Sequence, residues 1–165
     1  MRVISIHSHK GGAGKTTLTL MVAKVQTKAG RKVCAVDLDF IGSGFEHLLD
    51  VQPPVKFLDH YITKDPGSPT LPKLEEMITP YSDGDLGNYS MDLVFNMAGS
   101  AVDNERNDQD KSVSLLGMEP ASNIAGRSIN RFLSTLESKG YDTVILDCHT
   151  GLAYLSKSLL RYGKK

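Results

Sequence analysis

The sequence predicts an α/β domain in which helices cover both faces of a parallel β-sheet. Four short β-rich apolar runs alternate with stretches of helical periodicity, and these runs occupy residues 3–6, 32–39, 91–95 and 143–147. Strands that alternate with helices in this way pair in parallel through right-handed crossovers. Because a chain of 165 residues is long enough to bury a substantial core, residues 1–165 are expected to form a single domain.

The first helix is predicted to begin at Lys15 and to end at Gly30, a residue type that suits the C-terminal cap of a helix. Apolar residues recur along this stretch at helical spacing, and the face that they form is expected to pack on the sheet. They are Leu18, Met21, Val22, Val25 and Ala29.

Further helices are predicted between and after the later strands. Short helices are expected near residues 45–49, 55–62 and 71–78. A longer helix that ends before Gly140 carries the apolar residues Ala125, Ile129, Phe132, Leu133 and Leu136. Residues 148–165 offer one more helix, which is expected to cover the sheet rather than to anchor the protein to a membrane, although lysines and an arginine lie on its polar side.

The segment between the first strand and the first helix carries the strongest functional signal. Residues 9–17 read His-Lys-Gly-Gly-Ala-Gly-Lys-Thr-Thr. A loop that holds a triphosphate needs minimal side chains, because its main-chain N–H groups must reach the phosphate oxygens. The start of the helix adds the positive end of its dipole. Small residues meet this requirement at Gly11, Gly12, Ala13 and Gly14.

Three residues at the start of the helix complete the predicted nucleotide site. Lys15 is placed to reach the β- and γ-phosphates, and the hydroxyl of Thr16 to bind Mg²⁺ beside phosphate oxygens and water. Thr17 is expected near the α-phosphate. The alternative interpretation is a glycine-rich turn with two solvated lysines, and the coincidence of strand, loop and helix signals disfavours it.

Acidic residues lie at the ends of two predicted strands, with Asp37 and Asp39 on the second and Asp147 on the last. In an open parallel sheet the ligand lies beyond the carboxyl ends of the strands, so these carboxylates are expected to face the phosphates and the metal. A single aspartate at a strand end is usually a turn or cap residue, and the prediction therefore depends on the ordered set. Thr16, Asp37 and Asp147 are the predicted metal-site residues.

The loop resembles the deviant Walker A motif, KGGxGK[ST], of the ParA/MinD family of P-loop ATPases. Lys10 supplies the additional lysine, whereas His9 replaces the glycine of the strict phosphate-loop pattern. The resemblance implies that Lys10 contacts the partner's phosphates across a nucleotide-sandwich dimer. It also implies that Asp147 is the Walker B aspartate, which holds Mg²⁺ through a water, and that Asp37 and Asp39 form the family's D-x-D, in which the second aspartate orients or activates the attacking water.

The resemblance covers the N-terminal part of a typical family member, so the sheet is expected to be incomplete at the C-terminus. Relatives continue with strands that flank the phosphate-loop strand and with a base-recognising segment, neither of which is evident in this sequence. The strand at residues 3–6 is therefore expected at an unprotected sheet edge. On this interpretation the chain is a piece of a longer ATPase.

The composition is typical of a cytosolic enzyme domain, and a cytoplasmic location is expected. Nineteen basic residues balance nineteen acidic ones, so DNA or membrane contact is not indicated here and stays open for a longer protein. The cysteines, Cys34 and Cys148, form no CxxC or CxC pair, which disfavours iron–sulfur and soft-metal sites. No apolar run reaches membrane-spanning length.

Three further segments have weaker interpretations. Residues 40–44 contain two glycines directly after Asp39 and are a candidate switch, although a plain strand-to-helix turn would look the same. The polar run at residues 103–111 is predicted to be a surface loop. His7, His9 and His149 fall near the predicted site, but carboxylates and phosphates already provide for Mg²⁺, so no histidine is assigned to a metal.

The predicted function is that of an ATP-binding and hydrolysing molecular switch with Mg²⁺ as cofactor. Mg-ATP is expected to favour a homodimer and hydrolysis to ADP to release it, with Lys10, Lys15 and Asp39 as the catalytic residues. Two alternatives stay open: a phosphotransferase or ATP-dependent ligase on the same scaffold, and a non-catalytic nucleotide-dependent adaptor. The sequence does not choose among cargos, which in relatives include DNA and the cell-division machinery.

Overall fold

Five strands form one sheet at the centre of the protein. The computed structural model describes residues 1–39, 44–52, 54–96 and 119–148, without the side chains of residues 119–125. The pairs β1–β5, β5–β2 and β2–β4 are parallel, as the alternation of strands and helices predicts. In the spatial order β1-β5-β2-β4-β3, the strands are β1 (Arg2–Ile6), β2 (Val33–Leu38), β3 (Ile78–Tyr81), β4 (Met91–Val94) and β5 (Thr143–Cys148).

Helices cover both faces of the sheet, which confirms the predicted layering. One face packs against α1 (Lys15–Lys28) and α2 (Phe45–Leu48). The other packs against α3 (Leu58–Ile62), α4 (Leu74–Met77) and α5 (Glu119–Ser138). No helix within the described ranges is long and apolar enough to cross a membrane.

The strand β3, which the sequence pattern did not predict, is antiparallel to β4 and lies at one edge of the sheet. Ile78 pairs with Val94 and Tyr81 with Met91. The helix expected at residues 71–78 is confined to α4, because the chain turns into β3 at Ile78. Pro80 lies within β3 and lacks an N–H donor, a residue type that an edge strand tolerates and that conceals a strand in the sequence.

The face of α1 that packs on the sheet also differs from the prediction. Leu18, Met21 and Val25 are 48%, 59% and 63% exposed, so the apolar stripe points largely to solvent. The buried residues of α1 are instead Thr19, Leu20, Ala23 and Thr27. Three of these side chains are small, which lets the helix approach the strands closely, and the hydroxyl of Thr27 donates to the carbonyl of Ala23 at 2.9 Å. A periodicity that counts only apolar residues misses such a face.

Among the described strands, β1 pairs with β5 alone and lies at one edge of the sheet. This confirms, within the described residues, the edge position predicted for residues 3–6. Ile4 and Ile6 are only partly buried against the core on the α1 side, and Val3 against the core on the α5 side.

An ion pair joins α1 to the connection between β3 and β4. The ammonium of Lys24 donates to Asp83 and, at 3.3 Å, to Asp85. The hydroxyl of Tyr81 donates to the same carboxylate of Asp83 at 2.8 Å. The hydrogen bond from Lys24 is the main reason why the pKa of Asp83 falls from 3.8 to about 2. This contact fixes α1 laterally over the sheet.

We expect Asp83→Asn to lower the melting temperature by about 2–4 °C at neutral pH, which corresponds to about 1 kcal/mol in a domain of this size. Because folding lowers the pKa of Asp83, its stabilisation is present above the unfolded pKa near 3.8 and is lost as the pH falls towards 2. Melting curves of the wild type and the variant should therefore converge over that interval. The matched control is Asp85→Asn, since the Asp85 side chain is 78% exposed and should contribute less. A gap between wild type and Asp83→Asn that persisted at pH 2 would contradict the assignment.

Candidate functional site

The loop between β1 and α1 has the backbone geometry that its glycines allow. Gly12 and Gly14 adopt φ values of 68° and 75°, in the left-handed region that favours glycine. Gly14 is the N-terminal cap residue of α1, and its carbonyl accepts the first helical hydrogen bond from Leu18 at 2.9 Å. Among the residues that the structure describes, no side chain caps this helix end, and the first turn contains no acidic residue. The main-chain N–H groups there, together with the helix dipole, form an anion-binding arrangement.

Lysines and threonines flank this helix start as the sequence predicts. Lys15 and Thr16 are partly buried in the first turn of α1, and Thr17 is exposed. Lys10 lies exposed on the loop, and its carbonyl accepts a hydrogen bond from the Ser8 hydroxyl at 2.7 Å. Lys10 is thus placed where a second molecule could reach it. The rest of the predicted phosphate cradle, Gly11, Gly12, Ala13 and Gly14, is exposed on the same loop.

The register of the sheet brings two of the predicted carboxylates together. Asp147 on β5 is directly opposite Asp37 on β2 and Ile6 on β1, from which the loop departs. Both aspartates are 1% exposed. Since the three strands are parallel, these residues meet at the carboxyl edge of the sheet, beside the start of α1.

Asp37 accepts hydrogen bonds from the main chain on both carboxylate oxygens. Oδ1 accepts from the N–H of Asp39 at 2.9 Å and Oδ2 from the N–H of Gly44 at 3.1 Å. Burial raises the pKa of Asp37 from 3.8 to about 8, and the two N–H donors oppose this shift. In this structure Asp37 therefore binds the main chain at Asp39 and Gly44, and its assignment to the metal stays a prediction.

Asp147 is the carboxylate best suited to a cation. Neither of its buried oxygens has a hydrogen-bond partner of good geometry within the described residues. Desolvation raises its pKa, whereas the nearby Thr16 hydroxyl and Lys15 ammonium lower it. A buried carboxylate without a partner is costly, and a bound cation with its water shell would offset that cost. Thr16 and Asp147 are thus chemically suited to a Mg²⁺ ion, and their assignment to the metal stays a prediction.

The protein side chains do not form a complete metal site by themselves. Among the described residues, no three His, Cys, Asp or Glu side chains converge closely enough to hold a metal ion. A Mg²⁺ ion at Thr16 and Asp147 would take its remaining ligands from phosphate oxygens and water, which is the usual behaviour of this ion. The arrangement is therefore suited to a metal that arrives with a nucleotide.

Sequence reasoning missed Asn96 and the role of Gly44. Asn96 is 1% exposed at the carboxyl end of β4, and its Nδ2 donates to the main-chain carbonyl of Asp39 at 2.9 Å. A Cβ atom on Gly44 would lie 2.6 Å from the Oγ1 and Cγ2 atoms of Thr16. A polar residue directly after an apolar strand was the available signal for Asn96, the same signal that drew attention to Asp39 and Asp147.

Several sequence-based interpretations lie outside the described residues. They concern most of the candidate switch at residues 40–44, the polar run at residues 103–111, His149, and the helix expected within residues 148–165. They stay predictions.

Comparison with known proteins identifies the class to which this fold and loop belong. The family model ParA, described as NUBPL iron-transfer P-loop NTPase, matches residues 1–119. The chain therefore belongs to the ParA family of P-loop NTPases.

Individual relatives are more distant. A protein of Sinorhizobium fredii named as a candidate replication protein A is 28% identical over 170 residues, which cover 97% of this chain and 37% of that protein. Cobyrinic acid a,c-diamide synthase from Mycobacterium smegmatis, solved with an ATP analogue and magnesium, superposes with a TM-score of 0.66 at 22% identity, over 96% of this chain and 55% of that one. The septum site-determining protein MinD from Pyrococcus horikoshii, complexed with Mg-ADP, superposes with a TM-score of 0.62 at 23% identity, over 99% and 55%. The chain thus spans about half the length of these solved structures, and the likeness to them shows the fold.

We expect Asp147→Asn to raise the melting temperature of the nucleotide-free protein, because it removes a buried carboxylate that lacks a good partner. The same change should abolish the effect of Mg²⁺ on nucleotide affinity, measured by calorimetric titration with and without the metal. The matched control is Asp142→Ala just before β5, which removes the side-chain oxygen that accepts a hydrogen bond from the N–H of Lys32 at 2.8 Å and should destabilise the protein. If Asp147→Asn were as destabilising as Asp142→Ala, the result would assign Asp147 a structural role and contradict the metal role.

Proposed function

We propose that this protein is a Mg²⁺-dependent ATP-hydrolysing switch of the ParA/MinD type, which dimerises with ATP and separates after hydrolysis. The observation that carries the proposal is the meeting of three elements at one sheet edge. These are the start of α1 with Lys15 and Thr16, the buried carboxylate of Asp147, which has no hydrogen-bond partner of good geometry among the described residues, and the D-x-D segment at Asp37 and Asp39. Membership of the ParA family supports ATP as the ligand.

In the proposed reaction, a water oxygen attacks the γ-phosphorus, the bond to the bridging oxygen breaks, and ADP and phosphate leave. Positioning and charge neutralisation dominate catalysis of this kind. Lys15 would hold the β- and γ-phosphates, and the main-chain N–H groups of the loop would bind their oxygens. Asp39 would orient the attacking water. Mg²⁺ supplies neutralisation of the charge on the phosphate oxygens when it is bound at Thr16 and Asp147.

A dimer is proposed because of the second lysine of the loop. Lys10 is exposed, so its ammonium is accessible to the phosphates of a facing protomer. The relative named septum site-determining protein supports a role in positioning, and the one named as a candidate replication protein supports a role in DNA partitioning. We propose a cytoplasmic switch of this kind, acting on either DNA or the cell-division machinery through a protein partner.

The description of the matching family model mentions iron transfer. The two cysteines of this chain argue against iron binding and therefore favour the proposed ATPase switch. Cys34 and Cys148, the only cysteines in the sequence, lie buried on β2 and β5. Burial raises the pKa of both thiols, that of Cys148 to about 12, which disfavours the thiolate form that ligates iron. Neither Cys34 nor Cys148 is thus suited to ligate iron.

An ATP-dependent ligase is the second candidate function. The similarity to cobyrinic acid a,c-diamide synthase, with a TM-score of 0.66, is the observation in its favour. A ligase would need an acceptor substrate for phosphate to be released. Phosphate release by the purified protein with ATP and Mg²⁺ alone favours the switch, whereas release that requires a co-substrate favours the ligase.

We expect Lys15→Ala to weaken ATP binding by on the order of a hundredfold, since it removes a cation that contacts the phosphates. In contrast, Asp39→Ala should leave the ATP dissociation constant within about threefold and slow turnover by on the order of a hundredfold. Calorimetry and a phosphate-release assay measure the two quantities. The control is Asp65→Ala, an exposed aspartate remote from the site, which should change neither. Equal turnover in Asp39→Ala and wild type would refute the water-orienting role.

We expect light scattering on a sizing column to show a dimer with Mg²⁺ and a non-hydrolysable ATP analogue, and a monomer with ADP. Lys10→Ala should abolish the dimer and leave ATP binding in place, because its ammonium serves the facing protomer. Lys64→Ala, which removes an exposed lysine elsewhere, is the control. An oligomeric state that does not respond to the nucleotide would contradict the proposed switch.

A further inference from the structure

Two buried polar side chains bind the main chain of the residues on either side of positions 40–43, Asp39 and Gly44. The carboxylate of Asp37, at the end of β2, accepts from the N–H of Asp39 at 2.9 Å and from the N–H of Gly44 at 3.1 Å. One carboxylate thereby binds the main chain at both Asp39 and Gly44. Because Asp37 is 1% exposed, water competes poorly for these hydrogen bonds.

Asn96 holds the same segment from the neighbouring strand. β4 pairs with β2 through Val36 and Val94, so Asn96 lies beyond the carboxyl end of β4, beside Asp39. Its Nδ2 donates to the carbonyl of Asp39 at 2.9 Å, and the residue is 1% exposed. The N–H of Asp39 is bound by Asp37 and its carbonyl by Asn96. The main chain of Asp39 is thus held by hydrogen bonds on both sides of the residue.

The far end of the segment is fitted to the phosphate loop. Gly44 lies so close to Thr16 that a Cβ atom would meet the Thr16 side chain at 2.6 Å. Since Asp37 accepts from the N–H groups of both Asp39 and Gly44, its carboxylate links the main chain at Asp39 to the residue that lies against Thr16. A displacement of the main chain at Asp39 would therefore change the packing of Gly44 against Thr16.

We propose that Asn96 is a positioning residue for hydrolysis, which acts with Asp37 as a clamp on the main chain of Asp39. We call Asp37 and Asn96 the β2 clamp. It aims the carboxylate of Asp39 at the position of the attacking water and keeps Gly44 against Thr16. This inference rests on the proposed function for the role of Asp39, whereas the clamp itself rests on the hydrogen bonds of the described residues. A positional error of about 1 Å in such a group costs on the order of a hundredfold in rate.

The test compares Asn96→Leu and Asn96→Asp with the wild-type chain. Both variants keep a side chain of similar size and remove the N–H donor, and Asn96→Leu does so without adding a charge. The matched control is Asn88→Asp, at an exposed asparagine of the connection between β3 and β4. A second pair is Gly44→Ala with Gly67→Ala as control, because a Cβ atom on Gly67 would meet no atom within 4 Å.

The first readout is amide hydrogen exchange by NMR in the nucleotide-free protein. We expect the amide exchange rates of Asp39 and Gly44 to rise by about fivefold to tenfold in both Asn96 variants, because one buried hydrogen bond is lost. The exchange rate of Val36 within β2 should not change. The second readout is turnover and ATP affinity. We expect the turnover number to fall by about tenfold or more, with the dissociation constant for ATP within about threefold of wild type. Gly44→Ala should weaken the dependence of ATP affinity on Mg²⁺, and Gly67→Ala should not.

Two results would overturn the inference. One is unchanged exchange at Asp39 and Gly44, which would show that Asn96 does not hold the segment. The other is a parallel loss of ATP affinity, turnover and melting temperature, which is the signature of a purely structural residue. If wild type binds ATP but releases no phosphate, the hydrolytic part of the proposed function fails, and the exchange measurement still decides whether the clamp exists.

Discussion

The position of β5 between β1 and β2 is the constraint on which the site depends. Its register is set at the amino ends of the strands, where the N–H of Asp142 donates to the carbonyl of Lys32 at 2.9 Å and the Asp142 carbonyl accepts from Arg2 at 2.8 Å. The Asp142 carboxylate also accepts from the N–H of Lys32. Because parallel strands advance by equal steps, this alignment carries through to the carboxyl ends and places Asp147 opposite Asp37. A slip of β5 by one residue would turn Asp147 to the opposite face of the sheet, away from Asp37.

Function and stability conflict at this edge of the sheet. Two carboxylates are buried side by side at Asp37 and Asp147, and burial raises the pKa of both. Asp37 recovers part of the cost through two main-chain N–H donors, whereas Asp147 has no comparable partner among the described residues. The apolar cores on the two faces of the sheet provide the free energy of folding that offsets the cost of burying these carboxylates. An unsatisfied buried acid in such a position is typical of a site adapted to a bound cation.

The fold also shows where local periodicity misleads. α1 presents Leu18, Met21 and Val25 to solvent and buries Ala23 with its threonine neighbours, because a helix that lies close over parallel strands needs small side chains. The sequence analysis missed β3 because Pro80 interrupts its strand pattern. The strand forms nevertheless, because a strand at the edge of a sheet does not need every N–H group for pairing. Both errors arise because the burial of a segment and its position in the sheet depend on residues that are distant in the sequence.

The sequence by itself determined the phosphate loop, the helix that follows it, the parallel strands and the acidic residues at their ends. These features depend on residues that are adjacent in the chain: glycines with left-handed backbone at Gly12 and Gly14, a helix start, and apolar runs that end in carboxylates. Only the tertiary structure decided which face of α1 is buried, that Asp37 binds main-chain N–H groups, and that Asn96 reaches Asp39. Those contacts join separate strands, and their distances follow from strand order and register, which no local pattern specifies.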